Sequence, residues 1–379
     1  MTKLKIAVMS YVVDNRSAKG SAVYARRLID GLSTSPDIDL SLVHYHQTTD
    51  DIYRKGREVI MPSFSYLPIG RQFIRQILFF WRQRHEPFDI IHWCQPRLYP
   101  LFWLAPARKI AVTVHGGGDI TASQAWSWSR LMFVWVIKLF HHKIDIIIAD
   151  SKAAQDEIHQ AYGIPLDRIQ VIPIGGGEDY KPLPPVASQD FVRKNYAIDR
   201  PFILDVARLQ PHKNVNRLIE AYDKFRKHSS EMVDLVIIGA PSSSAQSVYA
   251  LAKNSTYASD IHFIDYVSDD DLNQFYSACL VFVFPSLNEG FGLPIVEAMA
   301  AGAPVITSNI TSLPEVAGGA ACLVDPYSID DIAKAIKEVV ENGGLQSELK
   351  EKGLRRASEF TWTKTVTNTI RVYQEVLSL

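Results

Sequence analysis

The hydrophobic positions of the chain fall into short runs separated by longer amphipathic stretches. The runs are apolar on consecutive positions, a pattern typical of parallel strands that are buried on both faces. The stretches between them predict helices. In the first half of the chain the runs lie at residues 5–11, 39–45, 89–93, 110–115, 145–150 and 169–173.

The same pattern begins again after a proline-rich segment at residues 178–189. This segment contains Pro182, Pro184 and Pro185, and such a cluster interrupts helices and strands alike, so it predicts an interdomain linker. Two linked blocks of alternating strand and helix predict an α/β protein with two Rossmann-like, doubly wound domains, and a ligand in the cleft beyond the carboxyl ends of the strands. The runs of the second block lie at residues 202–208, 234–239, 261–266, 280–285, 303–307 and 321–325.

Composition and length agree with this organisation. The chain has 379 residues, of which 47% are hydrophobic and 21% charged, so two ordinary globular domains are expected. The charge is uneven: residues 1–150 carry 19 Lys and Arg against 12 Asp and Glu, whereas residues 151–379 carry 21 against 29. A basic first half favours an anionic partner or surface, but the excess is too small to indicate nucleic-acid binding.

The cysteines and the length of the apolar stretches indicate the cellular compartment of the protein. Cys94, Cys279 and Cys322 are widely spaced and form no CxxC motif, which argues against disulfides and zinc and favours the reducing cytoplasm. The start of the chain, KIAVMSYVV, predicts a first strand rather than a signal peptide. No uncharged apolar stretch approaches the roughly 18–20 residues that a membrane span needs.

The stretch NEGFGLPIVEAMAAG, residues 288–302, has the build of an anion site. It follows an apolar run, Pro294 suits the start of a helix, and Gly302 suits its end. Gly290 and Gly292 therefore lie in a strand-to-helix loop, where free N–H groups and the helix dipole favour phosphate. An ordinary tight turn explains the glycines equally well. The dinucleotide fingerprint and the P-loop motif are both absent from the chain.

Two cations belong to the same predicted sheet edge. In ARLQPHKN, Arg208 ends a strand and Lys213 lies in the loop before the next helix. Two cations that face a helix N-terminus make a diphosphate clamp, whereas a solvated Arg and Lys near a turn is the ordinary alternative. Their shared edge with Gly290 and Gly292 favours the clamp.

These residues together resemble the family-4 retaining glycosyltransferases of the GT-B fold. Arg208-Leu-x3-Lys213-Asn214 and Glu289-Gly-Phe-Gly-Leu-Pro-x2-Glu297 carry the resemblance, because the family has a pair of glutamates separated by seven residues. The resemblance extends to residues 151–175, 262–286, 302–326 and 360–374. It implies an acceptor-side domain at 1–180, a donor domain at 181–360, and a C-terminal helix, about 361–379, that crosses back to the first domain.

The resemblance also implies a nucleotide-sugar substrate and roles for individual residues. The diphosphate would meet Arg208, Lys213 and the loop from Gly290 through Phe291 and Gly292 to Leu293. Glu297 would accept hydrogen bonds from the ribose and Glu289 from the transferred hexose, while the nucleobase would meet Tyr266 and Val267. No cofactor or metal is expected. The acidic cluster Asp269-Asp270-Asp271 is interpreted as a helix cap rather than a metal site.

In the first domain the resemblance points to His115, which ends a strand and matches a family histidine near the donor sugar. A strand-end histidine bonded to a backbone carbonyl is the structural alternative. The family's first loop has a Gly-Gly pair, but here Gly20 stands alone in SAKGSAVYARRL, so its approach to phosphate or acceptor is less secure. Residues 116–118 form an unusual triple glycine, and Asp119 is more simply explained as a turn residue than as a sugar ligand.

Residues 71–88, RQFIRQILFFWRQRHEPF, mix four arginines with aromatic side chains. Such a helix can rest on an anionic bilayer; an ordinary domain helix with its aromatics in the core is slightly favoured. A peripheral contact at the inner membrane face stays open, since several family members use lipid-linked acceptors.

The expected activity is transfer of a hexose, with retention, from a UDP- or GDP-sugar to a hydroxyl of a glycan or lipid-linked acceptor, in bacterial cell-surface polysaccharide or glycolipid synthesis. A sugar-nucleotide epimerase, a phosphorylase and a non-catalytic binding subunit are the alternatives.

Overall fold

The computed structural model describes residues 3–14, 20–45, 50–61, 71–116 and 128–378. They form two compact units. The first comprises the chain up to Ile174 together with the segment from Trp362 onward, and the second runs from Gly175 to Thr361. The predicted fold class, a two-domain doubly wound α/β protein, is confirmed.

Within its described residues, the first unit contains a seven-stranded sheet in which every pair of neighbours is parallel. The strand order is β3-β2-β1-β4-β5-β6-β7. The six predicted runs all form strands, and their central residues are buried because helices cover both faces of a doubly wound sheet. The strands are β1 (Leu4–Met9), β2 (Ile38–His44), β3 (Arg57–Ile60), β4 (Phe88–Trp93), β5 (Ala107–Val114), β6 (Ile146–Ala149) and β7 (Ile169–Val171).

The helices of this unit are α1 (Gly20–Thr34), α2 (Arg71–Gln83), α3 (Trp128–Phe140), α4 (Lys152–Tyr162) and, at the end of the chain, α13 (Trp362–Ser378). Helix α13 is fixed by buried polar contacts. The Tyr373 hydroxyl lies 2.5 Å from Nδ1 of His92 on β4, and the Thr365 hydroxyl donates to the Pro173 carbonyl at 2.8 Å. Burial lowers the pKa of His92 to about 3, so this histidine is a neutral structural group.

The second unit contains, among its described residues, a six-stranded parallel sheet of order β10-β9-β8-β11-β12-β13. Its strands are β8 (Phe202–Val206), β9 (Asp234–Ile238), β10 (Ile261–Ile264), β11 (Val281–Phe284), β12 (Val305–Ser308) and β13 (Cys322–Val324). Its helices are α5 (Pro185–Tyr196), α6 (Val215–Lys227), α7 (Ala245–Lys253), α8 (Asp269–Ala278), α9 (Leu293–Ala300), α10 (Leu313–Ala317), α11 (Ile329–Glu341) and α12 (Gly343–Ala357).

The proline-rich segment, residues 178–189, was predicted to be an interdomain linker. That prediction is wrong for its second half, which forms a helix. Helix α5 begins at Pro185 and follows Pro184. Proline suits the first helical position because its missing N–H would have no intrahelical partner there. The units divide earlier, between Ile174 and Gly175.

No helix in the described part of the chain has both the length and the apolar character that a bilayer span requires.

Candidate active site

The strand order of the second unit reverses between β8 and β11, which are hydrogen-bonded neighbours. In open α/β sheets, ligands bind outside the carboxyl ends of the strands at such a switch point. The loop after β8 contains Arg208 and Lys213, and the loop after β11 contains Glu289 to Gly292. The predicted donor residues therefore flank the position where this topology places a ligand.

Lys213 and Glu289 form an ion pair in this structure. The Lys213 Nζ atom donates to Glu289 Oε1 at 2.6 Å, and the two side chains are only 16% and 13% exposed. The ammonium also lies 5.0 Å from the centre of the Phe284 ring at the end of β11. The structure thus brings together a predicted phosphate ligand and a predicted sugar ligand, which neutralise each other.

Hydrogen bonds to backbone carbonyls fix the loop after β8 relative to the loop after β11. Asn214 has a left-handed conformation, with φ of 63°, and its side-chain amide donates to the carbonyls of Pro285 at 3.0 Å and Pro326 at 2.7 Å. The His212 carbonyl accepts from the Leu287 N–H at 2.7 Å and from the Ser286 hydroxyl at 3.0 Å. Lys213 lies between these anchors, so its backbone position is well defined.

The glycine loop leads into helix α9 as predicted. Gly292 is the N-cap residue, with φ of 103°, and it supplies no side-chain cap to the first N–H groups of the helix. The Ser312 hydroxyl lies 3.0 Å from the Glu289 carbonyl and 2.9 Å from the Phe291 carbonyl. Gly290, Phe291 and Gly292 are buried, and Leu293, half-buried, is the first helical residue. The loop thus leads into a helix N-terminus whose cap residue has no side chain, and phosphate binding there stays a prediction.

Glu297 lies on α9 and already has one described partner. The Tyr276 hydroxyl donates to Glu297 Oε2 at 3.1 Å. Burial raises the pKa of Tyr276 well above its usual value, and the Glu297 carboxylate adds to that rise, so the tyrosine is a donor at neutral pH. This bond orients the Glu297 carboxylate, and a ribose contact for Glu297 stays a prediction.

Arg208 behaves differently from Lys213. Strand β8 ends at Val206, so Arg208 lies in the loop that follows it, and its side chain is exposed. Among the described residues none pairs with its guanidinium. The structure therefore does not join Arg208 to the Lys213–Glu289 pair, and the two-cation clamp stays a prediction.

The predicted nucleobase contacts follow β10. Val267 is buried, whereas Tyr266 is 66% exposed. Nearby, the Ser268 hydroxyl caps helix α8 by accepting from the Asp271 N–H at 3.1 Å. The three aspartates occupy the first turn, where their charge suits the helix dipole, while the cap itself is the serine. In the described part of the chain no three His, Cys, Asp or Glu side chains group as metal ligands would.

In the first unit, His115 directly follows β5. Its Nδ1 atom lies 2.8 Å from Asp150 Oδ2, and its Nε2 atom lies 3.0 Å from the Cys94 carbonyl oxygen. The Tyr24 ring packs edge-on against the imidazole at 4.9 Å. The structural alternative, a histidine bonded to a backbone carbonyl, is therefore present, and contact with a donor sugar stays a prediction.

Gly20 is the first residue of α1 and is exposed, and an added Cβ atom would meet nothing within 4 Å. Among the described residues nothing therefore requires glycine at this position. Gly116 has φ of 66°. Residues 117 and 118 of the triple glycine, and Asp119, lie outside the described residues.

Helix α2 buries two of its four aromatic side chains, so the interpretation as a domain helix with its aromatics in the core holds for half of them. Phe79 and Phe80 are buried, and Arg75 is buried near the Tyr45 ring. Trp81, by contrast, is 64% exposed, and the Arg84 guanidinium lies 4.2 Å from the centre of its ring.

Two buried aspartates escaped the sequence prediction. Asp150 holds His115, and its only sequence signal was its position at the end of an apolar run. Asp205 lies inside β8 and is fully buried. Burial raises the pKa of Asp205 to about 8; Glu289 adds to the rise, and Lys213 and the Val206 N–H oppose it. An ionisable residue inside the apolar run FILDV was a signal that could have identified it.

Two family profiles match the chain, and each lies almost entirely within one unit. The profile described as Glycosyltransferase Family 4 matches residues 18–175, and the profile described as Glycosyl transferases group 1 matches residues 188–356.

Several characterised proteins are similar in sequence. O-antigen chain mannosyltransferase B of Escherichia coli is 32% identical over 279 residues, which cover 73% of each chain. The MMP alpha-(1->4)-mannosyltransferase of Mycolicibacterium hassiacum is 27% identical over 310 residues, which cover 78% of this chain and 72% of that protein. The serotype-specific mannosyltransferase WbdA of Escherichia coli is 32% identical over 238 residues, but the match covers only 29% of its length.

Solved structures agree on the fold. Anabaena Alr3699/HepE, solved in complex with UDP and glucose, is 19% identical with a TM-score of 0.78, and the match covers 98% of this chain and 100% of that chain. Sucrose-phosphate synthase from Thermosynechococcus elongatus is 20% identical with a TM-score of 0.77, covering 99% and 100%.

Proposed function

The chain belongs to the family-4 (group 1) glycosyltransferases, and on that premise we propose that it transfers a hexose from a UDP- or GDP-sugar to a hydroxyl acceptor with retention at the anomeric carbon. The observation that carries the proposal is the Lys213–Glu289 pair at the switch point, beside the uncapped N-terminus of α9. Together these groups offer a cation, the N–H groups of a loop at a helix N-terminus, and a carboxylate acceptor. A nucleoside diphosphate sugar needs all three.

The pair has to exchange partners when the donor binds. The diphosphate takes the Lys213 ammonium, and Glu289, released from the lysine, accepts hydrogen bonds from hydroxyls of the hexose. The loop N–H groups from Gly290 to Leu293 complete the phosphate contacts, with Arg208 as the outer cation. Glu297 keeps its bond from Tyr276 and accepts from the ribose with its remaining lone pairs. Tyr266 and Val267 meet the base.

The chemical step breaks the bond between the anomeric carbon and the phosphate oxygen, and the electron pair leaves with the phosphate. The acceptor oxygen bonds to the same face of that carbon, and its proton passes to the departing phosphate. Negative charge grows on the phosphate while this happens, so Lys213, Arg208 and the α9 N-terminus stabilise the transition state more than the ground state. His115 stays a predicted catalytic residue, and use of its Nε2 atom would require it to give up the contact with the Cys94 carbonyl. The chemistry so assigned requires no metal.

Mannose is the first candidate for the transferred hexose, because two relatives whose matches cover 73% and 78% of this chain are named as mannosyltransferases. A role in cell-surface polysaccharide synthesis follows from the O-antigen relative. The reaction would take place in the cytoplasm or at the inner membrane face, on a glycan or lipid-linked acceptor.

A thermal-shift screen of UDP-, GDP- and ADP-sugars tests the donor. A ligand at 100 times its Kd stabilises the folded state by about 2.7 kcal/mol, so the cognate donor should stand out, and GDP-mannose is expected to do so. Proton NMR of the product then reads the anomeric configuration. Dialysis against EDTA is expected to leave turnover unchanged.

Incubation with and without an acceptor separates the transferase from the alternative functions. Incubation of the enzyme with donor and no acceptor should return the donor unchanged. An epimerised donor or a sugar phosphate would identify an epimerase or a phosphorylase, and donor binding with no turnover on any hydroxyl acceptor would identify a binding subunit. An inverted product would refute retention.

A further inference from the structure

Asp205 is a carboxyl group in a place where carboxyl groups are rare. It lies on β8, one residue before the strand ends, and it is 0% exposed. Within the described part of the chain, neither of its oxygens has a hydrogen bond of normal geometry. A buried polar group without a partner is costly, and a buried charge without one is far costlier.

The charged groups that act on Asp205 both belong to the proposed donor site. They are Lys213, from the loop after β8, and Glu289, from the loop after β11. On the adjoining strand β9 the one titratable residue is Asp234, which lies at the opposite end of the strand, paired with Phe202. Strand β11 has none, and Tyr276 of helix α8, which packs nearby, is bonded to Glu297.

The cluster thus contains two carboxyl groups, one ammonium and the His212 imidazole, which precedes Lys213 in the chain. Burial and Lys213 lower the pKa of His212 while Glu289 opposes them, so the imidazole is uncharged where Asp205 titrates. With Glu289 paired to Lys213 at 2.6 Å, the cluster is neutral only while Asp205 carries a proton. The Lys213 ammonium lies over Phe284 on β11, the strand that neighbours β8, so an ionised Asp205 would add a second negative charge in its electrostatic surroundings. Asp205 is too buried for water to screen that charge fully.

We propose that Asp205 is a positioning residue for the donor diphosphate, and that as a neutral carboxyl it leaves the Lys213 ammonium available to phosphate. This inference rests on the proposed function, because it assumes that a diphosphate binds at Lys213. Loss of the proton makes Asp205 compete with the phosphate for the same cation and repel it. Donor affinity is therefore set by pH through a residue that does not touch the donor.

The direction follows from linkage. Burial holds the pKa of Asp205 at about 8, so the proton is lost as pH rises through that value. We expect the calorimetric affinity of the wild type for UDP and GDP to fall about tenfold between pH 7 and pH 9. In Asp205→Asn this fall is expected to disappear, which leaves only the change from the titration of the nucleotide itself. That change is common to every variant, so the difference between variants isolates Asp205.

Asp234→Asn is the matched control. Asp234 is also a buried carboxyl on a central strand, but it pairs with His262 and Arg200 at the far end of the sheet. This variant should keep the wild-type fall in affinity. A fall in Asp205→Asn as steep as that of the wild type would refute the inference, and absence of UDP and GDP binding at every pH would refute the proposed function as well.

Stability gives no reason for Asp205→Asn to unfold. The folded chain holds a proton on Asp205 that the unfolded chain releases above about pH 4, so the wild type loses stability as pH rises from there to about 8. Asparagine removes that loss. As a second measurement on the wild type alone, the carbon-13 NMR titration of the Asp205 carboxyl should move to higher pH when UDP or GDP saturates the site, because linkage is reciprocal. A midpoint that does not move would overturn the inference.

Discussion

The pairing of Lys213 with Glu289 determines what substitutions at either residue can reveal. Both side chains are largely buried, so removal of one leaves the other as a partly desolvated charge. A simple alanine change would therefore mix instability with lost function. Neutral variants of similar shape, Glu289→Gln and Lys213→Met, keep the packing, so they avoid the cavity that alanine would add to the loss of charge.

We expect Glu289→Gln to lower kcat by about 100- to 1,000-fold, because a carboxylate that accepts sugar hydroxyls in the transition state is lost. Its affinity for UDP or GDP should be unchanged or higher, since Glu289 no longer competes with phosphate for Lys213. Lys213→Met should instead weaken nucleotide binding by at least about tenfold, the value of one charge-assisted hydrogen bond. Calorimetry and turnover on the two variants check this. Transfer that survives in a Glu289→Gln enzyme unable to bind nucleotide would contradict the assignment.

The contacts between single side chains were not all predictable from the sequence. The motif spacing predicted that Lys213 and Glu289 belong to one site, because both follow strands at the same sheet edge. It did not predict that they would pair with each other, since that contact joins residues 76 positions apart. The partners of His115 were missed for the same reason: Asp150 and the Cys94 carbonyl meet it only through the strand order β4-β5-β6.

At the scale of elements, the turn into helix α9 depends on one glycine. Gly292 has φ of 103°, and a Cβ atom there would lie 2.7 Å from Leu313 Cδ2, at the start of α10. Two costs would follow from any side chain: strain from the left-handed backbone, and displacement of the buried Leu313 side chain.

Gly292→Ala is therefore expected to lower the free energy of unfolding by about 2–3 kcal/mol and to weaken UDP or GDP binding. Gly319→Ala is the matched control, because Gly319 also has a positive φ, of 79°, but open space around its Cβ position. It should cost only about 1 kcal/mol and leave nucleotide affinity intact. Chemical denaturation and calorimetry measure both quantities. Equal losses of affinity in the two variants would show that the Gly292 loop has no special part in phosphate binding.

Elements were the level best predicted by the sequence, since a parallel strand buried on both faces is apolar at most of its positions. The strand that escaped prediction is β3, whose residues are mostly exposed, so no apolar run marks it. Pro185 misled for a different reason. A proline cluster excludes a helix interior or a strand interior but is compatible with a helix start, and residue type alone does not distinguish a linker from the first turn of α5.

At the scale of the whole chain, part of the basic excess of the first half lies on and next to helices α2 and α3. Helices α2 and α3 belong to the same unit, and the Tyr99 ring contacts Phe73 on α2 and Phe133 on α3. Their outer positions carry large exposed apolar side chains: Trp81 on α2, and Trp135 and Leu139 on α3. Arg82 and Lys138 are exposed in the same helices, and Arg84 is exposed in the turn that follows α2. Amphipathic aromatic groups next to cations suit the interface of an anionic bilayer.

Because a lipid-linked acceptor would be presented at such a surface, we expect the protein to sediment with liposomes that contain anionic lipid and to be released at high salt. Each Arg or Lys near the surface contributes about 1 kcal/mol, so the double charge reversal Arg82→Glu and Arg84→Glu should lower partitioning by at least tenfold. Val186→Glu is the control: Val186 is 75% exposed but lies in the second unit, on α5, and its replacement should change nothing. Turnover on a soluble acceptor should be equal in all three proteins, because none of these residues belongs to the proposed site. Salt-independent sedimentation, or equal partitioning of both variants, would show that the charge of α2 serves the fold and not a membrane.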